Sequence, residues 1–85
     1  AVPVLNPHFR LQWEPAQNCH VLLYPEGMIK LNGSAGEIMA CVDGERCIAA
    51  IIELLQVRFP DAGELADDTL EFFSIAHDKR WIRFA

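Results

Sequence analysis

The chain has 85 residues, of which 52% are hydrophobic and 22% charged, with seven basic and twelve acidic side chains and a formal charge of −5. This length accounts for one domain with one core, and the composition excludes disorder. The acidic balance argues against a nucleic-acid partner, because phosphates are bound mainly by basic side chains. No apolar run reaches the roughly 20 residues of a membrane helix, and there is no charged-then-apolar signal sequence, so we expect a cytoplasmic protein without a membrane partner.

The candidate catalytic and metal-binding side chains do not form a recognisable constellation. Cys19, Cys41 and Cys47 are odd in number and irregularly spaced, which predicts free thiols. No Cys-x-x-Cys pair occurs, and adjacent residues on a strand, such as Cys19 and His20, point to opposite faces. Asp67 and Asp68 diverge by about 100° on a helix, a poor geometry for paired carboxylates. We therefore expect no metal, no cofactor and no enzymatic activity.

The first third of the chain predicts three strands, at residues 9–14, 20–24 and 28–31. In the first strand Phe9, Leu11 and Trp13 alternate with polar residues, which is typical of a strand with one buried face. The sequence Tyr-Pro-Glu-Gly at 24–27 predicts a tight turn, in which Gly27 is free to adopt positive φ and form a bulge. The second and third strands are therefore expected to form a hairpin.

Three helices are predicted over the remainder, beginning near Ser34, Cys47 and Glu64. Ser34 and Glu37 have the spacing of a capping box, and Asp43-Gly44 supplies a stop. The second helix runs to Arg58 and has Cys47 where a polar cap is usual, which predicts an under-capped N-terminus. Strands followed by helices indicate an α+β fold.

The third helix, over residues 64–80, has an apolar arc of about 160°, wider than the roughly 100° that faces one core. Its main stripe comprises Leu65, Thr69, Phe72, Phe73 and Ala76. Part of this face is therefore expected to be free for a partner. An apolar tail with Trp81, Ile82 and Phe84 must fold back or meet another chain. Residues 1–8 have no clear element, and whether they are flexible or exchanged with a second subunit stays open, so the domain is assigned to 9–85.

The third strand raises a question of its own. If sequential strands pair as a meander, this strand lies at an edge, and Lys30 is its only charge, whereas exposed edges are usually guarded. Either an extended peptide adds to the edge beside the third helix, or that helix or the tail covers it. Periodicity alone favours the covered edge. An unguarded edge also permits homodimerisation.

Several short motifs together resemble those of the PqqD family of pyrroloquinoline quinone (PQQ) biosynthesis, across residues 9–82. The most specific in order and spacing are YPEGM at 24–28, KLN at 30–32 and VDG at 42–44. The others are RLQWE at 10–14, AQ at 16–17, HV at 20–21, AAII at 49–52, FP at 59–60, DD at 67–68 and WI at 81–82.

This resemblance implies a three-stranded antiparallel sheet followed by three helices, of winged-helix type, as in recognition elements for ribosomally made, modified peptides (RiPPs). It implies a peptide chaperone that binds the precursor PqqA and presents it to the radical S-adenosylmethionine enzyme PqqE, which cross-links a Glu and a Tyr of the peptide. It also places the peptide along the third strand and against the third helix. The implied contacts are Met28, Ile29, Lys30, Leu31, Asn32, Leu65, Asp68, Thr69, Phe72 and Phe73.

Two departures and two alternatives accompany the resemblance. Cys47 replaces the polar cap expected at the start of the second helix. Thr69 stands where the family more often has an apolar β-branched residue, which is expected to make the groove wall more polar. A winged-helix likeness also suggests DNA binding, but the second helix has Arg58 as its only base, with Glu53 against it. A homodimeric interaction module is the other alternative.

Overall fold

The computed structural model describes residues 2–31 and 33–85. Its elements, in chain order, are β1 (Pro3–Leu5), β2 (Arg10–Glu14), β3 (Cys19–Tyr24), β4 (Gly27–Leu31), α1 (Ser34–Ala40), α2 (Ile48–Arg58), α3 (Leu65–Asp78) and β5 (Ile82–Phe84). The strands β2, β3 and β4 form an antiparallel sheet in that order, and β1 pairs with β5. The α+β class and the antiparallel three-stranded sheet followed by three helices are confirmed.

The three-stranded sheet is a meander in which β3 is central. Tyr24 pairs directly with Gly27, so Pro25 and Glu26 alone connect β3 to β4. Gly27 does not adopt positive φ. The predicted bulge at this glycine was therefore wrong, because a two-residue connection already brings the strands into register.

Side chains alternate across this sheet and define its core face. Leu22 faces the helices together with its neighbours Leu11 on β2 and Ile29 on β4. Leu22 is fully buried, and the other two pack against the buried core. Trp13 was expected on the same buried face. It lies near the end of β2 and is 49% exposed, and its ring packs at a steep angle against the His20 ring, with centroids 5.0 Å apart.

The helix ends differ from the sequence expectation in one respect and agree in another. The N-cap of α1 is Gly33, with φ 57°, and no side chain caps this end. The predicted capping box was therefore wrong: Ser34 lies inside the helix, and the Glu37 carboxylate accepts a hydrogen bond from Arg58 instead. Cys47 is the N-cap of α2 and makes no capping hydrogen bond, so the under-capped N-terminus is confirmed.

The core lies between the sheet and the helices and reaches β5. Its buried members are Leu22, Leu31, Ile38, Met39, Cys41, Ile51, Leu55, Leu65, Phe73, Ala76 and Ile82. At about 25 cal/mol per Å² of apolar surface, each large aliphatic or aromatic member stabilises the fold by roughly 1.5–3 kcal/mol. No helix in the described part of the chain has both the length and the apolarity to span a bilayer.

The two ends of the chain meet in a pairing that the sequence did not predict. Residues 1–8 had been assigned no element, but Pro3–Leu5 pair antiparallel with Ile82–Phe84. The Asn6 N–H donates to the Trp81 carbonyl at 2.9 Å, and the Ala85 N–H donates to the Val2 carbonyl at 2.8 Å. The apolar tail therefore folds back onto its own chain.

Candidate functional site

The outer edge of β4 is open within the part of the chain that the structure describes. β4 pairs with β3 on one side, and no strand pairs with its other side. Ile29 and Leu31 point toward the helices, whereas Met28 and Lys30 point to the opposite face of the sheet. The strand therefore offers an unpaired backbone ladder together with one apolar face.

One face of α3 is exposed beside this edge. Asp68, Phe72, Ile75 and Lys79 follow one another at spacings of four, three and four residues, so they lie along one side of the helix and its C-cap. Phe72 is half-buried and packs against Trp81, with ring centroids 6.3 Å apart, while Ile75 is 42% exposed. We call the space between the outer edge of β4 and this face of α3 the groove.

Each end of the groove contains a cavity. The first, of about 550 Å³, is lined by Phe9, Tyr24, Ile29, Lys79 and Trp81, and we call it the aromatic cavity. The second has a volume of about 340 Å³, and we call it the inter-helix cavity. It is lined by Gly33, Ser34, Glu37, Ile38, Leu55, Phe59, Ala62 and Leu65. Because Ile29 and Lys79 line one cavity while Gly33 and Leu65 line the other, α3 runs in the opposite direction to β4.

The residues predicted from the sequence are distributed between this surface and the core. Ile29, Asp68 and Phe72 are accessible along the groove, and Leu65 lines the inter-helix cavity. Leu31, the last residue of β4, is buried in the core, and Asn32 lies outside the described residues. Met28 and Lys30 are exposed, but on the far face of the sheet.

Three of the predicted α3 residues belong to the core: Leu65, Thr69 and Phe73. Thr69 is fully buried, and its hydroxyl donates to the Leu65 carbonyl at 2.7 Å, while Phe73 is 2% exposed. The expectation that Thr69 makes the groove wall polar was wrong, because its hydroxyl is satisfied inside the helix and does not reach the surface.

Other residues line the groove that the sequence patterns did not indicate as site residues. Ile75 lies three residues after Phe72 and seven after Asp68, a spacing that would have identified it. Trp81 had been assigned only to the tail. Phe9 and Tyr24 join the aromatic cavity through tertiary packing, with their ring centroids 5.6 Å apart, and no local pattern signals that contact.

The titratable groups give the groove little chemistry beyond charge. Burial raises the pKa of the Cys41 thiol, which donates to the Glu37 carbonyl at 3.4 Å and is correspondingly unreactive. Among the described residues, no group of three or more His, Cys, Asp or Glu side chains is arranged to hold a metal ion. The groove has a charged side chain of each sign, with Asp68 toward one end and Lys79 at the other.

The bases near α2 are engaged with acids of this chain. Arg58 donates to the Glu37 carboxylate at 3.2 Å, and Arg46 donates to Asp43 at 2.9 Å. A helix that reads DNA needs cations free to contact phosphate. This geometry therefore favours the groove over α2 as the functional surface.

An α+β domain with an open strand edge beside a partly apolar helix face belongs to the class of folds that can accept an extended chain as an added strand. The profile of the family described as coenzyme PQQ synthesis protein D (PqqD) matches residues 19–82. The chain belongs to the PqqD family, as its motifs indicated.

Relatives and solved structures agree with this assignment. The chain is 57% identical over 81 residues to a "PqqA binding protein" of Azotobacter vinelandii, covering 95% of this chain and 88% of that protein. It is 56% identical over 82 residues to a protein of the same name from Pseudomonas aeruginosa, covering 96% and 89%.

Two solved structures share the fold. The solution structure of the PqqD truncation of Methylobacterium extorquens PqqCD, described as a functional and stand-alone RiPP recognition element, matches with a TM-score of 0.80 and 27% identity over 98% of this chain and 89% of that one. The crystal structure of PqqD from Xanthomonas campestris matches with a TM-score of 0.61 and 33% identity, covering 99% and 94%.

Proposed function

We propose that this protein is a non-catalytic adaptor of PQQ biosynthesis that binds the precursor peptide PqqA as an added strand along β4 and presents it to the radical enzyme PqqE. The observation that carries the proposal is the open edge of β4 beside the exposed apolar face of α3. The name "PqqA binding protein" borne by relatives more than half identical to this chain supports PqqA as the occupant.

Strand addition predicts which groups of this protein would contact the peptide. Backbone N–H and C=O groups of β4 would supply affinity that does not depend on peptide sequence, whereas side chains on alternate peptide positions would supply selectivity. Ile29 and Phe72 would contact peptide residues that face the helices. Lys30 would contact residues that face away, so it would act on the peptide from outside the groove.

The experiment that tests this proposal is an NMR titration of isotope-labelled protein with synthetic PqqA. We expect saturable amide shifts concentrated in Gly27–Leu31 and along the Asp68–Ile75 face of α3, together with slower hydrogen exchange at alternate β4 amides. A folded protein without saturable shifts in β4 would contradict strand addition.

A matched pair of α3 variants separates the groove from the rest of the helix. Ile75 and Leu70 are both exposed apolar residues, at 42% and 51%, but Leu70 lies outside the groove face, two residues before Phe72. We expect Ile75→Glu to weaken PqqA binding about tenfold or more, because a charge replaces apolar contact area. Leu70→Glu should leave peptide affinity nearly unchanged, and equal losses in both variants would contradict the groove assignment.

Presentation to PqqE needs its own test. In a pull-down, we expect the wild-type protein to form a ternary complex with PqqA and PqqE. The Ile75→Glu variant should still bind PqqE but should not bring down the peptide. Loss of the enzyme as well would indicate that PqqE shares the groove, and failure of the wild-type protein to bind PqqE would remove the presentation step.

The same open edge favours a second candidate function, a homodimer paired through β4. Sedimentation at increasing protein concentration measures this directly. A dimer that dissociates as PqqA is added would mean that peptide and second subunit compete for one edge. A dimer that is unaffected by the peptide would place the interface elsewhere.

A further inference from the structure

We infer that the bound peptide is anchored at two points, with one apolar side chain in the aromatic cavity and a second in the inter-helix cavity. This inference rests on the proposed function, because it requires an extended peptide along β4. The two cavities lie at opposite ends of the groove: one contains Ile29 and Lys79, the other Gly33 and Leu65. An added strand therefore passes both cavities.

The geometry limits the spacing of the two anchors. Ile29 and Gly33 are four residues apart in sequence, a separation that spans at most ~14 Å when fully extended, and the path from Leu65 to Lys79 along α3 is ~21 Å at the rise of a helix. An extended peptide covers these distances in roughly four to six residues. Both cavities lie on the helix side of the sheet, so the anchors must be an even number of residues apart. The peptide therefore carries apolar residues about four or six positions apart.

The inter-helix cavity is suited to an uncharged apolar side chain. Its walls include the fully buried residues Ile38 and Leu55. Its one acidic side chain, Glu37, already pairs with Arg58 at 3.2 Å. A volume of about 340 Å³ exceeds that of a single large aliphatic or aromatic side chain. A charged side chain would lose hydration there without gaining a partner of opposite sign.

The aromatic cavity is suited to an apolar side chain beside a carboxylate. Three aromatic rings, those of Phe9, Tyr24 and Trp81, form its walls, and Lys79 supplies a cation. Asp68, on the same face of α3, lies toward the other end of the groove. This charge difference orients the peptide, with an acidic residue near Lys79 and uncharged or basic residues near Asp68.

The peptide itself provides the first test. We expect an alanine scan of the apolar residues of PqqA to identify two positions, four or six residues apart, each of which weakens binding about tenfold or more. Binding losses at a single position, or at positions an odd number of residues apart, would overturn the inference.

NMR distinguishes failure of this inference from failure of strand addition. On binding, we expect shifts of the Trp81 indole N–H and of the Ile38 and Leu55 methyl groups, in addition to the β4 amides. Shifts confined to the β4 amides would overturn the two-anchor inference and leave strand addition intact. The absence of shifts at the β4 amides would contradict both strand addition and the two-anchor inference.

Variants of the protein provide the complementary test. Ala62 is an exposed loop residue that lines the inter-helix cavity, so Ala62→Trp should fill the cavity and weaken binding about tenfold. Ala49→Trp, on the exposed side of α2, is the matched control and should bind normally. Lys79→Gln should weaken the binding of wild-type PqqA. It should not weaken the binding of a PqqA variant in which the acidic residues are replaced by neutral ones. Unchanged affinity in both Ala62→Trp and Lys79→Gln would overturn the inference.

Discussion

The end of α3 is closed by an arginine in a backbone conformation that usually belongs to glycine. Arg80 has φ 62°, its N–H donates to the His77 carbonyl at 3.0 Å, and the Trp81 N–H donates to the Ala76 carbonyl at 2.9 Å. This pair of bonds is a Schellman motif with Arg80 in the left-handed position. A residue with a Cβ is strained there, and the bonds that the motif gains offset that strain.

This strain leads to a prediction for Arg80→Gly. We expect the free energy of unfolding to rise by about 0.5–1 kcal/mol, because glycine adopts positive φ without a Cβ clash. Urea denaturation checks the change, with Arg83→Gly as the control. Arg83 lies within β5, so the same replacement there should destabilise the protein. A loss of stability in Arg80→Gly would contradict this assignment of strain.

Asp43 organises the loop between α1 and α2. Its Oδ1 atom accepts hydrogen bonds from the Glu45 N–H at 2.9 Å and the Arg46 N–H at 3.0 Å, and its Oδ2 atom pairs with the Arg46 guanidinium. The backbone N–H donors of Arg46 and Glu45 lower the pKa of this carboxyl. The VDG motif thus has a structural reason, since Gly44 follows at φ 78°.

We predict that Asp43 contributes stability that depends on pH. Because its pKa is lowered by folding, its contribution is complete above the ordinary carboxyl pKa and is lost as pH falls through the folded value. Asp43→Asn should therefore be less stable than the wild type at neutral pH, and the difference should vanish in acid. Thermal melts between pH 7 and about pH 2 measure this. Asp61→Asn removes another exposed carboxylate and serves as the reference for the change in net charge.

At the scale of single residues, the sequence predicts what is periodic and misses what depends on three-dimensional surroundings. The stripe of α3 correctly contained Leu65, Phe73 and Ala76 as buried residues. The same stripe contained Thr69, which is fully buried. It could not show which flank of α3 lies beside β4, because an apolar pattern does not specify which neighbour each side of a helix faces. The Ser34 capping box was wrong because Gly33, at positive φ, begins α1 one residue earlier.

Among the elements, α1 lies unusually close to the sheet because of one glycine. A Cβ at Gly36 would lie 3.1 Å from the His20 Nδ1 atom and 3.4 Å from the Leu31 carbonyl oxygen. Gly36 is buried within the helix, where glycine costs about 1 kcal/mol relative to alanine. Close packing of α1 on β3 and β4 therefore offsets a loss of helix propensity.

A double-mutant cycle tests this packing. We expect Gly36→Ala to lower the free energy of unfolding by about 0.5 kcal/mol in the wild type, because the new methyl group crowds His20. In a His20→Ala background the contact with the imidazole is removed while the contact with the residue-20 Cβ, at 3.3 Å, remains, so the same change should be less destabilising than in the wild type. Equal effects in both backgrounds, measured by urea denaturation, would contradict the crowding.

Elements of different length were predictable to different degrees. α2 and the hairpin of β3 and β4 follow from periodicity and turn residues within a single stretch of sequence. β1 and β5 have three residues each and pair across almost the whole chain, from Pro3 to Phe84. A pattern of period two needs more residues than that to be recognised, and nothing local indicates a partner so far away. Prediction of the groove required both the unpaired edge of the third strand and the family motifs.

In the molecule as a whole, Asn6 connects the paired chain ends to the aromatic cavity. Its N–H donates to the Trp81 carbonyl, its side-chain amide donates to the Arg80 carbonyl at 2.9 Å, and its own carbonyl accepts from the Phe9 N–H. Trp81 and Phe9 both line that cavity. The position of two cavity walls is thus linked to the β1–β5 pairing.

We predict that Asn6→Ala lowers the free energy of unfolding by about 1 kcal/mol, since the side-chain bonds to Arg80 and to the His8 N–H are lost. Hydrogen exchange should accelerate in β1 and β5 before it does in β2–β4. Gln17→Ala, in the exposed loop between β2 and β3, is the control and should exchange like the wild type. Uniform acceleration over all strands would show that the paired ends do not open separately.

The pairing of β1 with β5 also makes the chain nearly circular. Val2 and Ala85 are joined by a backbone hydrogen bond of 2.8 Å, so a segment attached before Val2 and one attached after Ala85 leave the surface at the same point. Fusion to a second protein through one terminus would orient the domain much as fusion through the other does. A short linker between the two ends, with new termini cut into the exposed loop at residues 15–18, should give a permuted protein with the same groove.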